Sequence, residues 1–363
     1  MKRLYLILLV YIGCESKTSI IQSGVSWELA QKRQASISDV HYKLSFDIPK
    51  DKNDPINAEE SIHFKLSDLS NDVILDFRQP AEYIYSVSVD GKVVPYKLIN
   101  QHISIASSYF SKGENTIFIS FRAGDMSLNR NDEFLYTLFV PDRASTAIPC
   151  FDQPNLKGRF TLTLSLPIDW TAIANGPIQS EKLIDEKRIM TFGETLPVST
   201  YIFAFTAGKF KRITQEKDGR AMTMLHRETD IDKVERNKDE IFELHSRAIT
   251  WMENYTGIDY PFQKFDFALI PGFQYGGMEH PGAIFYKDAS LFLELSATKN
   301  QYLSRAGLIS HETAHMWFGD LVTMNWFDDV WTKEVFAGFM GSKIVNPSFP
   351  EINHELRFLS NYS

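Results

Sequence analysis

Over residues 37–212 apolar and polar positions alternate in short runs. They are Tyr42, Leu44, Phe46 and Ile48; Ile62, Phe64 and Leu66; Val73, Leu75 and Phe77; Ile117, Ile119 and Phe121; and Phe160, Leu162, Leu164 and Leu166. A period of two places alternate side chains on one side of a strand, so each run predicts a strand with one buried face. Asp90-Gly91, set between Val87, Val89 and Val93, predicts a tight hairpin because both residues tolerate positive φ. The expectation is an antiparallel β domain over residues 37–212.

From about Arg227 the period changes to that of a helix, over residues 231–255 and closed by Gly257. A strand at 265–270 and a glycine-rich loop follow, then two further helical stretches. The fold class expected is α+β and multidomain, with a second domain over residues 213–363 and a polar linker over 15–36. The chain's 363 residues, 44% hydrophobic, are ample for two or three domains. A net charge of −8 without long like-charge runs gives no reason to expect a nucleic-acid partner.

Residues 1–14 read as an export signal: Lys2 and Arg3 precede a ten-residue apolar run, too short to span a bilayer. Gly13 before Cys14 resembles the cleavage box of bacterial lipoproteins, which implies a lipid anchor on Cys14; the alternative is an ordinary secretory signal. Either way the expected location is the bacterial cell envelope or the medium. Cys150 is the one other cysteine, so no internal disulfide is expected, and it reads as a small core residue.

The chemistry is concentrated in His311-Glu312-Thr313-Ala314-His315, followed after eighteen residues by Glu334. Residues four apart on a helix share a face, so His311 and His315 can grip one zinc ion together. Glu312 then stands beside the ion's open position, where a carboxylate can act as general base. Glu334 is the candidate third ligand, on a helix capped by Asp328 or Asp329 and ended by Asn346-Pro347. Leu303, Leu308, Ile309, Met316, Trp317 and Phe318 make the His311 helix apolar on several sides, hence buried. Gly276 and Gly277 read either as a tight turn or, beside the zinc motif, as small residues that let a substrate backbone approach closely and join their segment as an added strand.

This motif, together with Gly276-Gly277-Met278-Glu279, resembles the aminopeptidase N family of gluzincin metallopeptidases. Pro149-Cys150-Phe151-Asp152-Gln153-Pro154 is similar to the Pro-Cys-Phe-Asp-Glu-Pro segment of the same family. The resemblance implies a saddle-like N-terminal β domain, then a thermolysin-like catalytic domain. It implies one zinc on His311, His315 and Glu334, Glu312 as base, and peptide substrates with a free N-terminus. Gly276, Gly277, Met278 and Glu279 would bind that substrate, Glu279 holding its α-amine through a charge-assisted hydrogen bond.

Several positions depart from the family pattern. His280 stands where asparagine is usual; Lys333 and Val335 flank Glu334 in place of Asn and Gly; and Thr137-Leu138-Phe139-Val140 replaces a Thr-Gln-x-Glu segment that would help hold the amine. The chain stops twenty-nine residues after Glu334, and Tyr362 does not match the family's oxyanion tyrosine. A C-terminally truncated catalytic domain is therefore expected, its rate lowered by about 10²- to 10³-fold if one oxyanion donor is lacking. Two other functions fit the motifs: a zinc hydrolase of the family's epoxide-hydrolysing branch, and a non-catalytic peptide-binding member.

Overall fold

The computed structural model describes residues 21–356 and 359. The export signal, Cys14 and Tyr362 lie outside the described residues.

The alternating runs form an eight-stranded sheet in the order Ile178–Ile184, Lys187–Phe192, Gly158–Pro167, Ile37–Asp47, Asn57–Leu66, Gly113–Arg122, Ile84–Val89 and Lys92–Val93. The last two strands are the hairpin turned by Asp90-Gly91. One pairing corrects the antiparallel expectation: Ile37–Asp47 runs parallel to Gly158–Pro167, with Tyr42 opposite Phe160. Alternation is the same in both kinds of ladder, so the pattern could not tell them apart. The apolar face of each run is buried, Phe46, Ile62, Phe64, Ile119, Phe121 and Leu164 completely. A four-stranded and a three-stranded sheet complete this domain.

Part of the expected linker at 15–36 is instead a helix, α1 (Trp27–Ser36), whose N-cap Ser26 accepts from Leu29 N at 3.2 Å. Tertiary pairing supports it. The Arg33 guanidinium donates to both oxygens of Asp76 at 2.7 and 2.8 Å, and His102 Nδ1 contacts Asp76 Oδ1 at 2.7 Å. The 149–154 segment locks onto the same network: Asp152 N donates to Asp76 Oδ2 at 2.8 Å and Gln153 Nε2 to Ala30 O at 3.1 Å. Cys150 is fully buried and unpaired, as expected of a core residue.

The second sheet runs Lys211–Lys217, Arg220–His226, Phe267–Ile270, Ile284–Lys287 and Gly277–Met278. Its first strand already includes Lys211 and Arg212, so the change of sheet falls just ahead of the expected 212/213 division. Helix α2 (Ile231–Thr256) ends at Gly257 as predicted, and buries Val234, Ile241, His245, Ile249 and Met252 on one face. After a single-turn α3 (Asp288–Leu291) come α4 (Lys299–His315) and α5 (Val330–Val345). A capping box between Thr298 and Gln301 opens α4, which ends at His315, so Met316, Trp317 and Phe318 lie in the turn beyond it. Asp329 occupies the N-cap of α5, though its side chain makes no capping bond. Among the described residues no helix is long and apolar enough to cross a membrane.

Candidate metal centre and amine pocket

Helices α4 and α5 pack closely enough that a β-carbon on Gly341 would meet His311 N at 3.1 Å and its Cα at 3.2 Å. That approach carries Glu334, on α5, to the two histidines of α4. Glu334 Oε2 lies 3.5 Å from His311 Nε2 and 3.6 Å from His315 Nε2, and the two nitrogens are 3.0 Å apart. All three donor atoms fall within 4.8 Å of one another.

The donor set fits a zinc ion. Tetrahedral zinc with Zn–N near 2.0–2.1 Å separates its ligands by about 3.3 Å, close to all three distances. His315 Nδ1 donates to Phe318 O at 3.0 Å, which fixes the tautomer with a lone pair on Nε2. Two ring nitrogens facing each other at 3.0 Å need a cation or a proton between them. Burial alone would raise the Glu334 carboxyl, yet its contacts with the His311 and His315 rings and the nearby Lys333 charge hold it well below the usual carboxylate range.

Glu312 projects from α4 beside these ligands and is 4% exposed. Burial pushes its carboxyl up to about 8; Glu279 and Glu334 add to the rise, while His311 opposes it. A divalent cation at the three ligands would also oppose it. Across from Glu312 runs the strand Gly277–Met278, which pairs antiparallel with Ile284–Lys287 and forms the edge of the second sheet. Gly276 is exposed and Gly277 half-buried, so an edge for strand addition is present where the glycines predicted it. The Met278 side chain is buried in the hydrophobic core, so what this residue can offer an added strand is its backbone.

Glu279, 3% exposed, faces the same centre. Sequence reasoning missed its partner. The Lys333 ammonium, on α5 next to Glu334, hydrogen-bonds Glu279 Oε1 and lies 3.1 Å from Glu334 Oε1. Burial would raise Glu279, but the Lys333 charge holds it well below its ordinary range. His280 is fully buried beside Phe285, and neither ring nitrogen has a hydrogen-bond partner among the described residues. Burial lowers it to about 3, so the ring is neutral. Leu138 and Val140, in place of the family's Gln and Glu, are apolar and offer the pocket no hydrogen-bonding side chain; Leu138 is buried and Val140 packs half-buried against the same core.

Comparison with known proteins identifies relatives of the chain as a whole. Residues 38–202 match the profile of the peptidase M1 N-terminal domain, and residues 240–363 that of the peptidase family M1 domain. The chain is 33% identical over 290 residues to probable aminopeptidase 2 of Sulfurisphaera tokodaii, covering 77% of this chain and 36% of that protein. It is 36% identical over 238 residues to the puromycin-sensitive aminopeptidase of Caenorhabditis elegans, covering 64% and 25%. With aminopeptidase N of Streptomyces lividans the identity is 28% over 332 residues, covering 87% and 38%. The chain thus spans about a third of the length of the curated relatives it matches.

Proposed function

The chain belongs to peptidase family M1, and from that premise we propose that it is a zinc-dependent aminopeptidase, releasing N-terminal residues from peptides. The observation that carries the reading is the convergence of His311, His315 and Glu334 on one point, with Glu312 and Glu279 clustered beside it around His315. A zinc ion held by His311, His315 and Glu334 would supply the Lewis acidity that makes water a nucleophile near neutral pH and polarises a scissile carbonyl.

The remaining work belongs to side chains of this protein. Glu312 accepts the proton of the attacking water and hands it to the departing amine nitrogen. The Gly277–Met278 edge aligns the substrate as an added strand, setting the scissile bond over the metal ligands. Glu279 receives the substrate's ammonium, which is how an exopeptidase tells a chain end from an internal amide. Zinc content measured together with turnover of an aminoacyl chromogenic amide tests this reading. One zinc per chain with release of the free amino acid supports it; a metal-free protein, or equal cleavage of an N-acetylated substrate, counts against it.

Export and lipid anchoring at Cys14 belong to the same proposal and rest on the pattern of residues 1–14 alone. Mass spectrometry of the mature N-terminus separates a diacylated cysteine from an ordinary cleaved leader.

A further inference from the structure

Lys333 is 5% exposed, and so long a cation is rarely buried unless its charge is met. Here it is met from three sides. Its ammonium hydrogen-bonds Glu279 Oε1, approaches Glu334 Oε1 at 3.1 Å, and lies 5.2 Å from the centroid of the Tyr201 ring. Carboxylates and an aromatic face are what recognise a primary ammonium in any ligand. The lysine therefore sits as a substrate's N-terminal amine would sit, held by the same carboxylate.

We propose that Lys333 is a specificity-determining residue that competes from within the chain for the amine site at Glu279. The inference rests on the aminopeptidase reading of that site. A substrate ammonium must displace the lysine or share Glu279 with a like charge, and both lower its affinity. When a binding-competent state is only fractionally populated, apparent affinity falls by that fraction, so the lysine weakens amine binding in proportion to its occupancy of Glu279, about tenfold if that occupancy is about nine-tenths. A neutral N-terminal group gains nothing from Glu279 and suffers no such competition. Lys333 thus lowers the advantage that a free N-terminus holds over a blocked one.

The test is calorimetric titration of the zinc-loaded protein with leucinamide, and with N-acetyl-leucinamide as control. Lys333→Asn removes the competing charge, and Lys333→Met does so while keeping an apolar stem in place should the first variant fold poorly. The expected result is leucinamide affinity at least tenfold higher in either folded variant, with the acetylated ligand unchanged. Unchanged or weaker leucinamide binding overturns the inference, and so does an equal gain for both ligands, which would mean a wider pocket and no competition. Binding is read without turnover, so the two claims separate. A variant that gains leucinamide affinity in a protein that hydrolyses nothing keeps the amine site and this inference and removes only the peptide-hydrolysing part of the proposed function; active protein with no gain does the reverse.

Discussion

A β-carbon on Gly277 would stand 2.6 Å from Cδ of Glu312 and 2.7 Å from its Cγ. The edge strand and the candidate base thus occupy adjoining space, and only a residue without a side chain lets both hold their places. Gly277→Ala is expected to push Glu312 aside and lower kcat by about 10- to 100-fold, since ångström-scale misplacement of a catalytic group costs that much. Thermal unfolding and zinc content should stay near wild type. A kcat within twofold of wild type would show that the base does not depend on this contact.

Asp76 joins α1 to the β domain through Arg33, His102 and the backbone of Asp152. Burial alone would raise its carboxyl, but the charge of Arg33 and hydrogen bonds from His102 and Arg33 bring it down to about 2. The unfolded value is near 3.9, so the unfolded chain binds the proton more readily. The stabilisation, about 2–3 kcal/mol, is therefore full above pH 4 to 5 and disappears as pH falls through 2. Asp76→Asn should cost about 3–5 kcal/mol at pH 7, because it leaves Arg33 buried without a counter-charge. Urea melts of both proteins at pH 7 and pH 3 should show the gap narrowing in acid.

His245 works in the opposite chemical sense. Its Nδ1 donates to Ile241 O at 2.8 Å, its Nε2 accepts from Tyr286 OH at 3.0 Å, and the ring stacks on Phe267 at 4.2 Å. Burial lowers it to about 3, so it folds neutral. Between pH 6.5 and 3 the unfolded chain takes up a proton that the folded chain refuses, and stability falls by about 1.4 kcal/mol per pH unit from this one group. Melting temperature should drop on acidification below pH 6, and His245→Gln should flatten that slope while costing stability at pH 7.

The candidate metal ligands were legible because a helix imposes its own geometry: His311 and His315 share a face whatever surrounds them. Glu334 was legible as a candidate, but only the close packing of α5 on α4 at Gly341 delivers it. The Lys333 and Glu279 pair joins residues 54 apart in sequence, and along the chain Lys333 looks like any charged neighbour of a ligand. Helix α1 escaped notice for a related reason: its one internal ion pair is the exposed Lys32–Glu28 contact, and its anchor, Arg33 on Asp76, lies 43 residues away. The parallel pairing of Ile37–Asp47 with Gly158–Pro167 was hidden because strand order depends on the intervening chain, which a period of two does not record.

The most direct test of the central claim is the turnover of an aminoacyl chromogenic amide by Glu312→Gln beside wild type, each carrying a measured amount of zinc. The account predicts one zinc in both proteins, held by His311, His315 and Glu334, and a rate lowered at least about 10²- to 10⁴-fold when the base is lost. A glutamine variant that keeps its zinc and hydrolyses as fast as wild type would contradict it.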